Sequence, residues 1–107
     1  ASWCPFCVDE LPDFETLQRE FGDEVMIIAI NRREEVSKAR AFMDEHGVGA
    51  EMLYLLDPKD TFYSSIGGFS MPETIFVNEA GEIVVHKRGF MDLREMRERT
   101  NTLLGNI

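Results

Sequence analysis

Apolar side chains recur at Cys7, Leu11, Phe14, Leu17 and Phe21, the spacing of one helical face. A helix is therefore expected from Cys4 to Phe21, with Gly22 as its stop. The run "EVMIIAI" that follows is aliphatic at nearly every position, which predicts a strand over Val25 to Ile30 buried on both faces, and hence a parallel sheet. Val36, Ala39, Phe42 and Met43 then fall on one stripe of a second helix that ends at Gly47 and covers the sheet. "EMLYLLDP" predicts another buried strand over Met52 to Leu56. Asp57 and Pro58 suit the cap and first position of a short helix through Ser65, which Gly67 and Gly68 end. "PETIFV", the turn "NEAGE" and "IVVHKRG" together form the pattern of an antiparallel hairpin over residues 73 to 88. Leu93, Met96, Thr100, Leu103 and Leu104 mark a closing helix capped by Asp92. The order helix, strand, helix, strand, helix, hairpin, helix is that of an α/β protein.

Size and charge narrow this picture. A chain of 107 residues, 44% hydrophobic, suits one domain over residues 1–107. Its 11 basic residues stand against 20 acidic ones, a net charge of -9, so nucleic acid and anionic membrane surfaces are repelled rather than gathered. The longest apolar run, "VMIIAI", is far too short to span a bilayer. Only Ala1, Ser2 and Trp3 precede the first helix, whereas a helix with reactive cysteines at its start is normally delivered by a strand. The sequence is therefore expected to be a piece of a longer protein whose sheet has at least one more strand on the N-terminal side.

The two cysteines, Cys4 and Cys7, are three residues apart and cannot staple distant elements, so their chemistry is local. Zinc needs about four ligands, and only the isolated His46 and His86 could join them, so no metal is expected. On a helix, residues i and i+3 are neighbours, which lets the pair close and reopen a disulfide with little backbone movement. Cys4 lies where the positive end of the helix dipole favours a thiolate, making it the expected nucleophile. Cys7 shares the apolar stripe with Leu11 and Phe14 and is expected to be the shielded, resolving thiol. Pro5 fits the first turn, and Phe6 adds apolar surface beside the nucleophile. Inert core cysteines are the bland alternative, but burying both is hard with Trp3 and Phe6 beside a helix cap. Glu10 stands three residues after Cys7 on the same side of the helix, where a partly buried carboxyl could exchange protons with that thiol. His46, His86 and the methionines Met26, Met43, Met52, Met91 and Met96 are read as structural, the methionines as core filler.

"WCPFC" resembles the active-site motif of the thioredoxin superfamily. "CVDELP", with Glu10, Leu11 and Pro12, resembles the corresponding stretch of the TlpA/ResA/CcmG group of thiol-disulfide oxidoreductases. "VMIIAIN", "FMDEHGV", "LYLLDP", "MPETIFVNEAGEIV" and Gly89 follow in the order of that group. The resemblance implies a three-layer sandwich with a central mixed sheet, a C-terminal antiparallel hairpin and helices on both faces. It also implies a cis bond between Met71 and Pro72 beside the disulfide, leaving the Met71 backbone able to pair with an extended substrate. Trp3, Pro5, Phe6, Met71 and Pro72 would then form the substrate surface, Glu10 would modulate the cysteines, and Pro12 would bend the helix. The implied function is cofactor-free thiol-disulfide exchange with partner proteins, recharged by an upstream redox partner. The expected setting is extracytoplasmic, as a reductant in work of the cytochrome c maturation type, with any membrane anchor outside this sequence. An oxidase direction, a peroxiredoxin-like peroxidase and a redox-inert binding module are the competing expectations. The peroxidase would need a Thr and Arg around its cysteine that "ASWCPFCV" does not supply.

Overall fold

A computed structural model of the chain describes residues 1–47 and 51–106. Helix α1 covers Pro5–Phe21, followed by a 3-10 turn over Gly22–Glu24, strand β1 over Ile28–Arg32 and helix α2 over Val36–His46. Strand β2 covers Leu53–Asp57, helix α3 Thr61–Ser65, strands β3 and β4 Glu73–Val77 and Ile83–Arg88, and helix α4 Leu93–Leu103. The expected order of elements is the observed one. Val48, the last residue of "FMDEHGV", lies outside the described residues.

β1 and β2 run parallel, from Ile28 opposite Leu53 to Arg32 opposite Asp57. β3 and β4 form the antiparallel hairpin, with Glu73 opposite Arg88 and an irregularity between Phe76 and Val77. Its turn is closed by the Asn78 side chain, which accepts the N–H groups of Ala80 and Glu82, and by Gly81 at φ +81°. α1 packs on α4, and α4 on β3. Between these elements lies the main core of Leu17, Phe76, Met91 and Met96, surrounded by Phe14, Phe21, Ile27, Val85, Leu93 and Leu103. Asp92 caps α4 by accepting the Glu95 N–H at 2.8 Å.

Several expected boundaries move, each for a local reason. β1 begins at Ile28 rather than Val25, because the Gln18 side chain takes up the backbone ahead of it: its amide donates to the Val25 carbonyl and its oxygen accepts the Ile27 N–H. Met26, on that stretch, is 74% exposed and is not core filler, unlike the buried Met52, Met91 and Met96. α3 begins at Thr61 rather than Pro58, yet Asp57 still caps it, accepting the N–H groups of Phe62 and Tyr63 at 3.2 and 2.9 Å. α1 continues through Pro12, whose missing N–H does not end it.

The strands are less buried than their aliphatic sequences suggest. Ile28, Leu53 and Leu55 are all exposed, and the two strand pairs form separate ladders rather than one continuous sheet. Among the described residues, β1 pairs only with β2, and β3 only with β4. Between the two ladders is a cavity of about 1010 Å³ lined by every residue of β1 and β3, with Leu11, Phe14 and Leu17 of α1 also on its wall. Where an expected neighbour does not cover a strand face, apolar side chains on that face meet open space.

Candidate active site

Cys4 occupies the N-cap of α1, in extended conformation, with Pro5 at the first helical position. Its Sγ lies 3.3 Å from the Cys7 N–H, so an orphan donor of the first turn points at that sulfur. Cys4 and Cys7 are joined in a disulfide with Cα atoms 5.3 Å apart. The helix start thus supplies both the spacing for closure and a field that favours negative charge on Cys4.

The exposure of the two cysteines reverses the expectation. Cys4 is buried, 6% exposed, whereas Cys7 is only half-buried. The apolar stripe of α1 that was expected to shield Cys7 faces the cavity between the ladders, and Cys7 is among the residues lining it.

Glu10 is 3% exposed and shares that cavity wall with Cys7. Its Oε2 accepts the Met91 N–H at 2.7 Å. Burial pushes this carboxyl up to about 7, with Asp13 and Glu95 adding to the rise and the Met91 N–H and Lys87 opposing it. Asp9, by contrast, is exposed.

The Met71–Pro72 peptide bond is cis, as expected, and both residues line the same cavity as Cys7. Pro72 is buried, and its carbonyl accepts the Gly89 N–H at 2.8 Å. Around the disulfide, Trp3, Phe6 and Phe90 are exposed, Phe6 at 62%, with the Phe6 and Phe90 rings 6.4 Å apart. Aromatic surface is thus presented to solvent next to the redox pair, where it can cover an apolar partner segment.

Residues that the linear sequence did not single out frame the site from behind. Ser2 is tied to β1 through Glu34, which accepts its N–H and its hydroxyl as well as the side-chain amide of Asn31. Burial raises the Glu34 carboxyl, but these donors outweigh it and hold the group below the usual carboxylate range. Arg32 pairs with Asp60 through two hydrogen bonds and lies over two rings, 5.4 Å from the Trp3 centroid and 3.8 Å from that of Tyr63. Glu73, directly after Pro72, receives His86 Nε2 at 2.8 Å. Its place beside Pro72 was a usable sequence signal; the Trp3, Arg32 and Tyr63 stack, drawn from three separate elements, left none.

Among the described residues, no three His, Cys, Asp or Glu side chains gather as a metal site, and no helix is long and apolar enough to cross a membrane. A disulfide-closing cysteine pair at a helix start and a cis proline lining the same cavity, set in an α/β frame, define a thioredoxin-like fold. The chain belongs to the Redoxin family, which it matches over residues 1–104. It is 33% identical over 94 residues to the thiol-disulfide oxidoreductase ResA of Halalkalibacterium halodurans, covering 86% of this chain and 52% of that protein. To the thiol:disulfide interchange protein DsbE of Haemophilus influenzae it is 32% identical over 95 residues, 89% of this chain and 49% of that one. The crystal structure of StoA from Bacillus subtilis superposes with a TM-score of 0.81 at 26% identity, covering 92% of this chain and 75% of the StoA chain. The chain thus spans about half the length of these curated relatives.

Proposed function

We propose that the Cys4–Cys7 couple is exchanged with cysteine pairs of partner proteins, and that the protein works as a reductant outside the cytoplasm, in chemistry of the cytochrome c maturation type. The observation that carries this reading is the disulfide at the start of α1, with the Cys4 sulfur at the helix cap and the Cys7 N–H directed at it. In the reduced protein, the Cys4 thiolate attacks one sulfur of a partner disulfide. A mixed disulfide forms, and the partner's other sulfur leaves as thiolate. Cys7 then gives up its proton and attacks Cys4 Sγ, releasing the second partner sulfur. The protein is left as the Cys4–Cys7 disulfide and the partner has gained two electrons. Glu10, titrating near neutrality on the wall it shares with Cys7, suits the base that takes the Cys7 proton. Trp3, Pro5 and Phe6 on one side and Met71 with Pro72 on the other form the surface where the partner docks. A separate upstream dithiol protein restores the reduced form, and no bound cofactor takes part.

Two measurements test this. Insulin-type disulfides should be reduced by the dithiol form and not by Cys4→Ser, and failure of the intact pair to reduce them would favour an inert binding module. Titration of the couple against glutathione should give a strongly reducing potential. A markedly oxidising potential would reverse the direction proposed, and peroxide consumption that survives loss of Cys7 would indicate a peroxidase instead.

The cavity between β1 and β3 supports a related proposal about the domain. One further strand of a longer polypeptide, hydrogen-bonded to both β1 and β3 and leading into Cys4, would join the two ladders into a single mixed sheet. Such a strand would be apolar on both faces, matching the aliphatic wall it meets.

A further inference from the structure

The segment Phe69–Ser70–Met71, which leads into the cis proline, has no regular secondary structure of its own, yet it is held at several points. Glu73 Oε1 accepts the N–H of Phe69 at 2.8 Å and that of Ser70 at 2.6 Å. Tyr63 donates its hydroxyl to the Ser70 carbonyl at 2.7 Å. The same hydroxyl lies 3.3 Å from Glu73 Oε1; having one proton, it bonds fully to the nearer carbonyl. The two side chains thus take both hydrogen-bonding groups of the Ser70 main chain. None of the main-chain hydrogen bonds among the described residues engages Met71.

Both holding residues are themselves fixed. The Glu73 carboxylate is almost fully buried and is met from β4 by His86 Nε2 at 2.8 Å and Arg88 Nε at 3.8 Å. The Tyr63 ring is packed closely. The Arg32 guanidinium, itself paired with Asp60, lies over it. Gly68 also approaches it, so that an added Cβ there would fall 2.4 Å from the ring. Glycine is required there by this close approach, and the loop is moulded on the ring. Arg32 also reaches the Trp3 ring, so the support of the Met71 segment is continuous with the residue preceding Cys4.

We propose that Tyr63 and Glu73 are positioning residues for substrate. By fixing the Ser70 main chain at both its donor and its acceptor, they hold the Met71 main chain ready to pair with an extended segment beside a substrate cysteine. The inference rests on reading Met71 as a main-chain docking point, and it goes further by assigning the geometry of that point to two side chains that touch neither cysteine. The substrate class it selects is a cysteine in an extended, strand-forming stretch, recognised through backbone rather than side chains.

The test uses two cysteine peptides that differ by one N-methyl group on the amide next to the cysteine. Each is trapped as a mixed disulfide with Cys4 in a Cys7→Ser background, and its equilibrium is measured against glutathione. N-methylation should weaken the mixed disulfide about fivefold, the worth of one hydrogen bond. Adding Tyr63→Phe, which keeps the ring, should shrink that difference to under about twofold, and Glu73→Leu, which removes the acceptor of the Phe69 and Ser70 N–H groups, should do the same. With both cysteines present, Tyr63→Phe should raise KM for a disulfide peptide while leaving kcat and the Cys4–Cys7 potential unchanged, a split that general loosening of the fold would not give. A full N-methyl penalty retained in Tyr63→Phe overturns the assignment to these side chains. No penalty in the Cys7→Ser background overturns main-chain docking at Met71, and the inference with it.

Discussion

Glu10 illustrates how one buried side chain makes stability depend on pH. Its carboxyl titrates near 7 in the folded protein, above the ordinary carboxylate range that it regains on unfolding. Below that ordinary range it is protonated in both states and its burial carries no ionisation cost. As pH rises towards 7 the unfolded chain releases the proton first, so stability falls, and above 7 the full cost is present. The loss attributable to Glu10 is on the order of 3 kcal/mol. Glu10→Gln can still accept the Met91 N–H, so denaturant titrations from pH 4 to pH 8 should show that it lacks this fall. The same variant should shift the thiol titration of the reduced protein, read by alkylation rate against pH. Unchanged profiles for both cysteines would remove Glu10 from the proposed proton transfer. The carboxyl's place on the same side of α1 as Cys7 was legible from its position three residues after that cysteine. Its partner Met91 was not, because that contact spans 81 positions.

Among the elements, α3 depends on a residue outside it. Five residues cannot sustain a helix alone, and the Asp57 carboxylate that accepts two of its N–H groups lies at the end of β2. Asp57→Ala should therefore cost about 1 kcal/mol and raise amide exchange at Phe62 and Tyr63, with little effect elsewhere. α4 is anchored instead by packing. Met96 is fully buried against Leu17, Phe76 and Met91, and Met96→Ala should lower the unfolding free energy by about 2–5 kcal/mol in a urea titration. Amphipathic periodicity identified α1, α2 and α4, and turn residues identified the hairpin, because these signals are local. The start of β1 was misjudged because Gln18, a side chain on another element, takes the backbone groups that a partner strand would otherwise use.

The whole molecule is divided by its central cavity. α1, the hairpin and α4 share the main core, while β1 and β2 form a second ladder whose apolar residues Ile28, Leu53 and Leu55 remain exposed. If a further strand seats between β1 and β3, a longer native polypeptide that includes it should slow amide exchange at residues 28–32 and 73–77 by orders of magnitude relative to residues 1–107. It should also make Cys7 less accessible to alkylation than Cys4, as first expected from the helical stripe. Equal exchange in the two polypeptides would leave the cavity without that occupant.

What could be read along the chain was whatever depends on neighbours a few positions apart: the helix start that brings Cys4 and Cys7 together, the turn that closes the hairpin, the α/β order, and the family resemblance of the motifs. Contacts between distant segments lay beyond such reading. The stack of Trp3, Arg32 and Tyr63, the grip of Tyr63 and Glu73 on the Met71 segment, and the exposure of Cys7 to a cavity each arise when separate elements meet in space. Short-range periodicity carries no record of those encounters, since packing and hydrogen bonding between elements are set by proximity in three dimensions.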